Sequence, residues 1–181
     1  LDAMLLQAQR LRLAADWLPA LGLRFSLRMD GFAWVLALIV TGIGFLVVLY
    51  ARYYLSAADP MPRFFAFFLA FMASMLGVVL AGNLIQLVLF WELTSLFSFL
   101  LIGYWHHNPA AREGARMALI VTSAGGLALF AGVLLIGRIA GSYDLDRVLA
   151  AGDLIRADPL YLPALLLVVL GALTKSAQFP F

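Results

Sequence analysis

The polarity pattern along the chain changes character near position 31. Before it, Leu23, Phe25, Leu27 and Met29 alternate with Arg24, Ser26, Arg28 and Asp30. A period of two predicts a strand. The strand is too short to cross a bilayer, and an open strand edge cannot survive in lipid, so it is expected at the water interface as part of a β-hairpin. From position 32 onward the pattern becomes a series of long apolar runs. A bilayer core needs about 20 apolar residues as helix. Runs over 32–50, 64–81, 84–104 and 117–137 meet that length, and a fifth over 160–178 ends in Lys175 and Gln178, just before Pro180. The predicted fold class is an all-α membrane protein of about five transmembrane helices with a short extramembrane β-hairpin near the N-terminus. It divides into an extramembrane segment, 1–31, and a helical membrane domain, 32–181.

The polar positions between the runs predict how they connect. Gly82-Asn83 is a tight turn, which makes the second and third spans antiparallel neighbours. A short polar loop follows over 106–116. A longer link, 138–159, carries Asp144, Asp146, Arg147, Asp153, Arg156 and Asp158, and its 143–151 portion suits a short amphipathic surface helix. Asp30, at the mouth of the first span, suits a helix cap. Arg52, Tyr53, Tyr54 and Arg63 suit anchors at the membrane interface. Ala124, Ala128 and Gly132 recur every four residues and predict a close-packing helix face. The end holding the strand and the 138–159 link carries Arg10, Arg12, Arg24, Arg28, Arg138, Arg147 and Arg156. The other end carries Arg52, Arg63, Arg112 and Arg116. By the positive-inside rule the first end would be cytoplasmic.

Composition narrows the class further. The chain is 65% hydrophobic and 12% charged, against about 25% charged in soluble domains. The net charge of +2 and the lack of a basic run argue against nucleic acid as a partner. With no Cys, disulfides, Cys-ligated zinc and iron–sulfur clusters are excluded. The only two His residues are adjacent. No cofactor and no metal are therefore expected.

Against this background Glu92 stands out, near the middle of the 84–104 run. An ionisable side chain at the centre of a membrane helix costs roughly 2.5–3.5 kcal/mol on insertion scales, so the default reading is functional: an ion path, a proton relay or a buried ion pair. At about 100° per residue, Ser95 lies about 60° and Ser98 about 120° from Glu92, on one side of the helix. The alternative is a structural carboxyl satisfied by a neighbouring helix. Lys175 is the only Lys, and Gly171, Thr174 and Gln178 share its helical side. Pro180 deprives a carbonyl near Ser176 of its usual donor, a feature tolerated where backbone lines a cavity. The alternative for Lys175 is snorkelling to the headgroups. If the two groups are neighbours, a passing proton could shift them between ionised and neutral states. His106 and His107 follow Tyr104-Trp105 and read as interfacial loop residues or as a proton entry point.

The motifs holding these residues resemble a known family. Phe90-Trp91-Glu92-Leu93-Thr94-Ser95-Leu96, then Leu101-Ile102-Gly103-Tyr104-Trp105-His106-His107, and Thr174-Lys175-Ser176-Ala177-Gln178-Phe179-Pro180-Phe181 are similar to the large antiporter-like subunits. These occur in Mrp-type multisubunit sodium/proton antiporters and in respiratory complex I. Tyr50-Ala51-Arg52-Tyr53-Tyr54 and Arg28-Met29-Asp30-Gly31 fit as well, so the resemblance covers 21–181. Leu93-Thr94-Ser95 and the Phe179-Pro180-Phe181 ending resemble the A-type Mrp subunits more than the complex I homologue.

The resemblance implies that Glu92 and Lys175 are the pair that modulates proton transfer, with Ser95, Ser98, Gln178, His106 and His107 as possible accessories. It implies an N-terminal-half piece of a longer subunit, with Leu1 in place of an initiator Met and an apolar end. It also implies an outward-facing hairpin, against the arginine count, and it takes precedence over that count. The implied partners are other antiporter subunits, protons, sodium and the lipid bilayer, in a bacterial cell membrane. The implied protein is a secondary transporter subunit rather than an enzyme. One departure is Gly82, where the family often has an acidic residue. The rival readings are the proton-pumping subunit of complex I and a membrane scaffold without transport.

Overall fold

The computed structural model describes residues 11–18, 23–56, 59–179 and 181. Arg10 and Pro180, which carried expectations, lie outside the described residues. The N-terminal hairpin is present. Strand β1, Leu11–Leu18, pairs antiparallel with β2, Leu23–Met29, in a register that sets Leu11 opposite Met29 and Leu13 opposite Leu27. The hairpin is fixed to the helices by its backbone. Arg28 N–H donates to Leu80 O at 2.8 Å, and Gly82 N–H donates to Ser26 O at 2.9 Å. Ser26 is buried, and its N–H donates to Gln86 Oε1 at 2.8 Å.

Four helices are long and apolar enough to cross a membrane. Helix α1, Gly31–Tyr54, starts at Asp30, whose Oδ1 accepts from Ala33 N–H at 2.9 Å, so the expected cap forms. Helix α2, Met61–Val79, opens with Pro62 in its first turn, a position where the missing N–H costs nothing. Helix α3, Leu84–Ile102, is capped by Asn83, whose side chain accepts from the amides of Ile85 and Gln86. Helix α4, Pro109–Ala140, runs 32 residues and stops at Gly141 in the left-handed region, φ 66°. The helix extends beyond the expected fourth span, 117–137, at both ends. The stretch 109–116 read as loop because of Arg112, Glu113 and Arg116. The cap at Asn108 and Pro109 at the first helical position start the helix outside the apolar zone, where charges are tolerated.

The 138–159 link folds into two short helices, α5, Leu145–Ala150, capped by Asp144, and α6, Gly152–Ala157. Helix α7, Tyr161–Lys175, is shorter than expected. It ends at Lys175, and Ala177 takes a left-handed turn, φ 50°. The expectation that Gln178 continues the polar side of this helix is therefore incorrect: the chain has left the helix, and Gln178 is exposed.

Helix α4 is central, packing along α7 on one side and α3 on the other, while α2 packs against α3 and α1 against α2. The α2–α3 turn is gripped from both sides. Opposite the hairpin, Leu84 N–H donates to Tyr143 O at 2.8 Å and Leu145 N–H to Gly82 O at 3.0 Å. Ion pairs add to the grip: Arg12 with Asp144 and Asp146, and Arg28 with Asp146 at 3.0 Å and Asp30 at 2.7 Å. These arginines are neutralised locally, so counting them as free positive charge overstates the asymmetry between the two ends.

Two other expectations need correction. The small-residue face of α4 is only partly the Ala124–Ala128–Gly132 row: Gly132 is buried against Ala164 and Val168, but Ala124 is exposed. The other close approaches are at Gly125 and Gly126, both buried, because α4 meets two helices and its tightest crossings need no Cβ at all. Arg63 is not a free interface anchor. Its Nη2 donates to Tyr104 O at 2.8 Å and its guanidinium lies 5.1 Å from the centre of the Tyr104 ring, so it ties the end of α3 to α2. Arg52, Tyr53 and Tyr54 are exposed at the end of α1, as anchors would be.

Candidate functional site

The middle of α3 carries the polar arc, and α4 and α7 close around it. Glu92 points at α4, where Gly126 leaves it room: a Cβ on Gly126 would overlap Glu92 Oε1 and stand 2.6 Å from its Cδ. Oε1 is buried and has no hydrogen-bond partner among the described residues. A buried polar atom left unpaired costs about 1–3 kcal/mol.

Lys175 approaches from the last turn of α7. Its Nζ donates to Ser95 Oγ at 2.7 Å and lies 5.8 Å from the centre of the Trp91 ring. Ser95 is 2% exposed and sits 3.5 Å from Trp91 O. Thr94, buried beside it, donates to Trp91 O at 2.6 Å. Lys175 is half-buried. Glu92 and Lys175 lie within coulombic range of each other, but the amine is hydrogen-bonded to Ser95 rather than to the carboxylate.

Adjacent glycines on α4 make this convergence possible. Gly126 faces Glu92 on α3, while Gly125 faces Thr174 on α7, whose hydroxyl donates to Gly171 O at 2.9 Å. Gly171 in turn lies against Gly125 O and Leu129. One helix thus presents a groove to each of its two neighbours at the same height.

The expected accessories divide. Ser95 is in the site. Ser98 is half-buried farther along α3, without a side-chain hydrogen bond. Gln178 is exposed beyond the end of α7. His106 and His107 are exposed in the α3–α4 link, with ring centres 6.1 Å apart, and are not part of the Glu92–Lys175 site. The sequence reading missed Trp91, Gly125 and Gly126. A Trp directly before the buried Glu, with its Nε1 buried and unpaired, and a Gly-Gly pair inside an apolar helix were the available signals. Among the described residues, no group of three or more His, Asp or Glu comes together that could hold a metal ion.

The four long apolar helices, with the half-buried Glu92 and Lys175 between them, define a multi-pass membrane protein with ionisable groups between its helices. The family model described as NADH:quinone oxidoreductase/Mrp antiporter, TM, matches residues 81–181, and the model for the N-terminus of complex I chain 5 matches 17–65. The chain belongs to this family, among the A-type subunits of the Mrp antiporters. It is 69% identical over 166 residues to the A/B subunit of a probable K(+)/H(+) antiporter of Rhizobium meliloti, covering 92% of this chain and 17% of that one. It is 46% identical over 166 residues to the A-type subunit of the Na(+)/H(+) antiporter of Alkalihalophilus pseudofirmus, covering 91% and 21%. The solved Mrp complex from Dietzia sp. superposes with a TM-score of 0.88 at 36% identity, over 95% of this chain and 19% of that one. The chain spans about a fifth of the length of these relatives. The relatives are bacterial, and this is a multi-pass protein of the bacterial cell membrane.

Proposed function

We propose that the chain forms part of a proton-translocating subunit of a multisubunit monovalent cation/proton antiporter, and that Glu92 and Lys175 handle the proton. The observation that carries this reading is the buried, unpaired Oε1 of Glu92 at mid-helix, in the same polar site as the Lys175–Ser95 hydrogen bond. A carboxyl kept only for structure would have its oxygens satisfied, or would be replaced by an apolar residue at lower cost.

In this reading the proton resides on Glu92 while the Lys175 ammonium is held by Ser95 Oγ. When Glu92 ionises, the ammonium turns toward the carboxylate, and the proton moves on through neighbouring groups. Gly126 leaves the carboxylate room to turn. Trp91 offers its ring face to the ammonium, an interaction worth about 0.5–2 kcal/mol, and so limits the cost of parting Lys175 from water.

The cation is proposed to be potassium. The relative at 69% identity is named for K(+)/H(+) exchange, while those at 43–47% are named for Na(+)/H(+) exchange. Sodium, implied by the sequence motifs, is the second reading, on the strength of those relatives. The complex I reading is weaker, because these relatives are antiporter subunits.

The test uses the full-length subunit within its complex in everted vesicles, with a pH-sensitive dye reporting collapse of a proton gradient on addition of KCl or NaCl. The wild type should respond at lower KCl than NaCl. Glu92→Ala and Lys175→Ala should each slow the response by about a hundredfold or more, the loss expected for a general acid–base group, with normal assembly. Undiminished flux in both variants would return the chain to the scaffold reading.

A further inference from the structure

At the end of the bundle away from the hairpin, α2, α3 and α4 leave an open cavity of about 600 Å³. Its polar lining is basic: Arg63 from α2, His106 from the α3–α4 link, and Arg112 and Arg116 from the first turns of α4. Among the described residues no carboxylate lines it. Phe67 and Phe99 form part of its apolar wall.

The arginines are not spent on one another or on acids. Arg63 donates through Nη2 to Tyr104 O, but its Nε is buried with no acceptor. Arg112 and Arg116 are exposed and make no side-chain hydrogen bond or ion pair among the described residues. Three guanidinium groups around one cavity repel one another until an anion enters, and planar Arg donors suit phosphate oxygens. A free inorganic anion would satisfy the arginines and leave the aromatic wall wet. A phospholipid satisfies both, and the cavity lies where apolar helices give way to polar links. Basic pockets between transmembrane helices at a membrane face bind anionic headgroups.

We propose that this cavity binds the phosphate headgroup of an anionic phospholipid through Arg63, Arg112 and Arg116, with an acyl chain running along Phe67 and Phe99. The site is separate from Glu92 and Lys175, and its test does not depend on transport.

The experiment is native mass spectrometry of the purified full-length antiporter complex, incubated with equal amounts of phosphatidylglycerol and phosphatidylcholine. The wild type should retain phosphatidylglycerol preferentially. The Arg112→Gln/Arg116→Gln double variant should bind it roughly 20-fold more weakly, given the attraction of each arginine for an anionic lipid surface. Arg112→Lys/Arg116→Lys should keep most of the preference, which separates lost charge from lost folding. Equal phosphatidylglycerol retention by the wild type and the Gln variant would overturn the proposal. So would displacement of the lipid by millimolar inorganic phosphate, which would assign the arginines to a free anion. A cavity closed by another segment of the full-length protein would give no lipid preference in either form, and would also overturn it.

Discussion

Gly126→Ala is the most informative single change, because it acts on Glu92 without touching its chemistry. An added Cβ would overlap Oε1, stand 2.6 Å from Cδ and 3.3 Å from Oε2. Comfortable carbon–carbon contact begins near 3.5 Å, so the carboxyl group must retreat by about 1 Å. A Glu can do that by rotating, since the colliding atoms are the far end of a flexible side chain. The helices need not move, and assembly should survive. Overpacking at such a site costs about 1–3 kcal/mol. If that cost falls on the geometry needed for proton transfer, the rate drops by roughly 5- to 160-fold. The assay is the initial rate of gradient collapse in everted vesicles, normalised to assembled complex. Leu127→Ala, at an exposed neighbouring position, controls for generic damage to α4. Wild-type flux from Gly126→Ala with normal assembly would refute the idea that the cleared space beside Glu92 matters. Loss of assembly in parallel with flux would reduce Gly126 to a packing residue.

Four further outcomes follow from the same geometry. Gly171→Ala should destabilise rather than slow the protein, because its Cβ would stand 2.8 Å from Gly125 O and 3.2 Å from Leu129 Cα, backbone that cannot rotate away; the loss, about 1–3 kcal/mol, should appear as a lower unfolding midpoint of the complex. Ser95→Ala removes the hydroxyl that accepts from Lys175, an interaction with a charged group worth about 1.5–3 kcal/mol, and should slow transport by about tenfold or more with assembly intact. Gly82→Asp should loosen the hairpin, since any side chain there meets Ser26, and hydrogen exchange at the Arg28 and Gly82 amides should rise. Asp59, in the α1–α2 link, is held below the ordinary aspartate pKa by hydrogen bonds from Ser56 N–H and then Trp105 Nε1. A depressed folded-state pKa stabilises above the unfolded value and is lost as pH falls through the folded one, so the Trp105 contact should persist at neutral pH and release below about pH 3.9, read by indole fluorescence against Asp59→Asn.

What could be read from the sequence was what one element shows by itself. The β2 alternation, the apolar runs, the tight turn at Gly82-Asn83 and the cap at Asp30 are local patterns, and the hairpin and helices formed around them. Glu92 and Lys175 were legible because an ionisable group in an apolar run is costly wherever the neighbouring helices lie. Partner identity was not legible. Gly125-Gly126 gains meaning only once α3 and α7 are known to cross α4 at that height. Arg63 looked like any interfacial arginine until Tyr104 arrived from the link that follows α3. Gln178 failed because helical phase was carried past Lys175, and nothing in Ser176-Ala177 announces a left-handed turn. Gly82 marked only an absent acid in the sequence. In the structure it is where the hairpin backbone docks, at 2.9 Å from Gly82 N to Ser26 O, with no space for a carboxylate.

The hydrogen bond from Lys175 to Ser95, rather than to Glu92, bears on how such a site could switch. A direct buried ion pair is deeply stabilised relative to either half alone: removing one partner costs about 3–5 kcal/mol. A proton arriving at such a pair must work against that stabilisation, and the pair resists change. Here the amine already has a neutral acceptor at 2.7 Å and an aromatic face, so it does not depend on the carboxylate. The carboxylate oxygen, facing Gly126, has no competing donor. The amine can therefore keep its hydrogen bond whichever charge Glu92 carries, whereas an ionised Glu92 gains a donor only when the ammonium turns toward it. If Glu92 and Lys175 handle the proton as proposed, such an arrangement suits a relay in which one proton's position biases the next, and changes at Ser95, Trp91 and Gly126 should alter that bias as much as changes at the two ionisable groups.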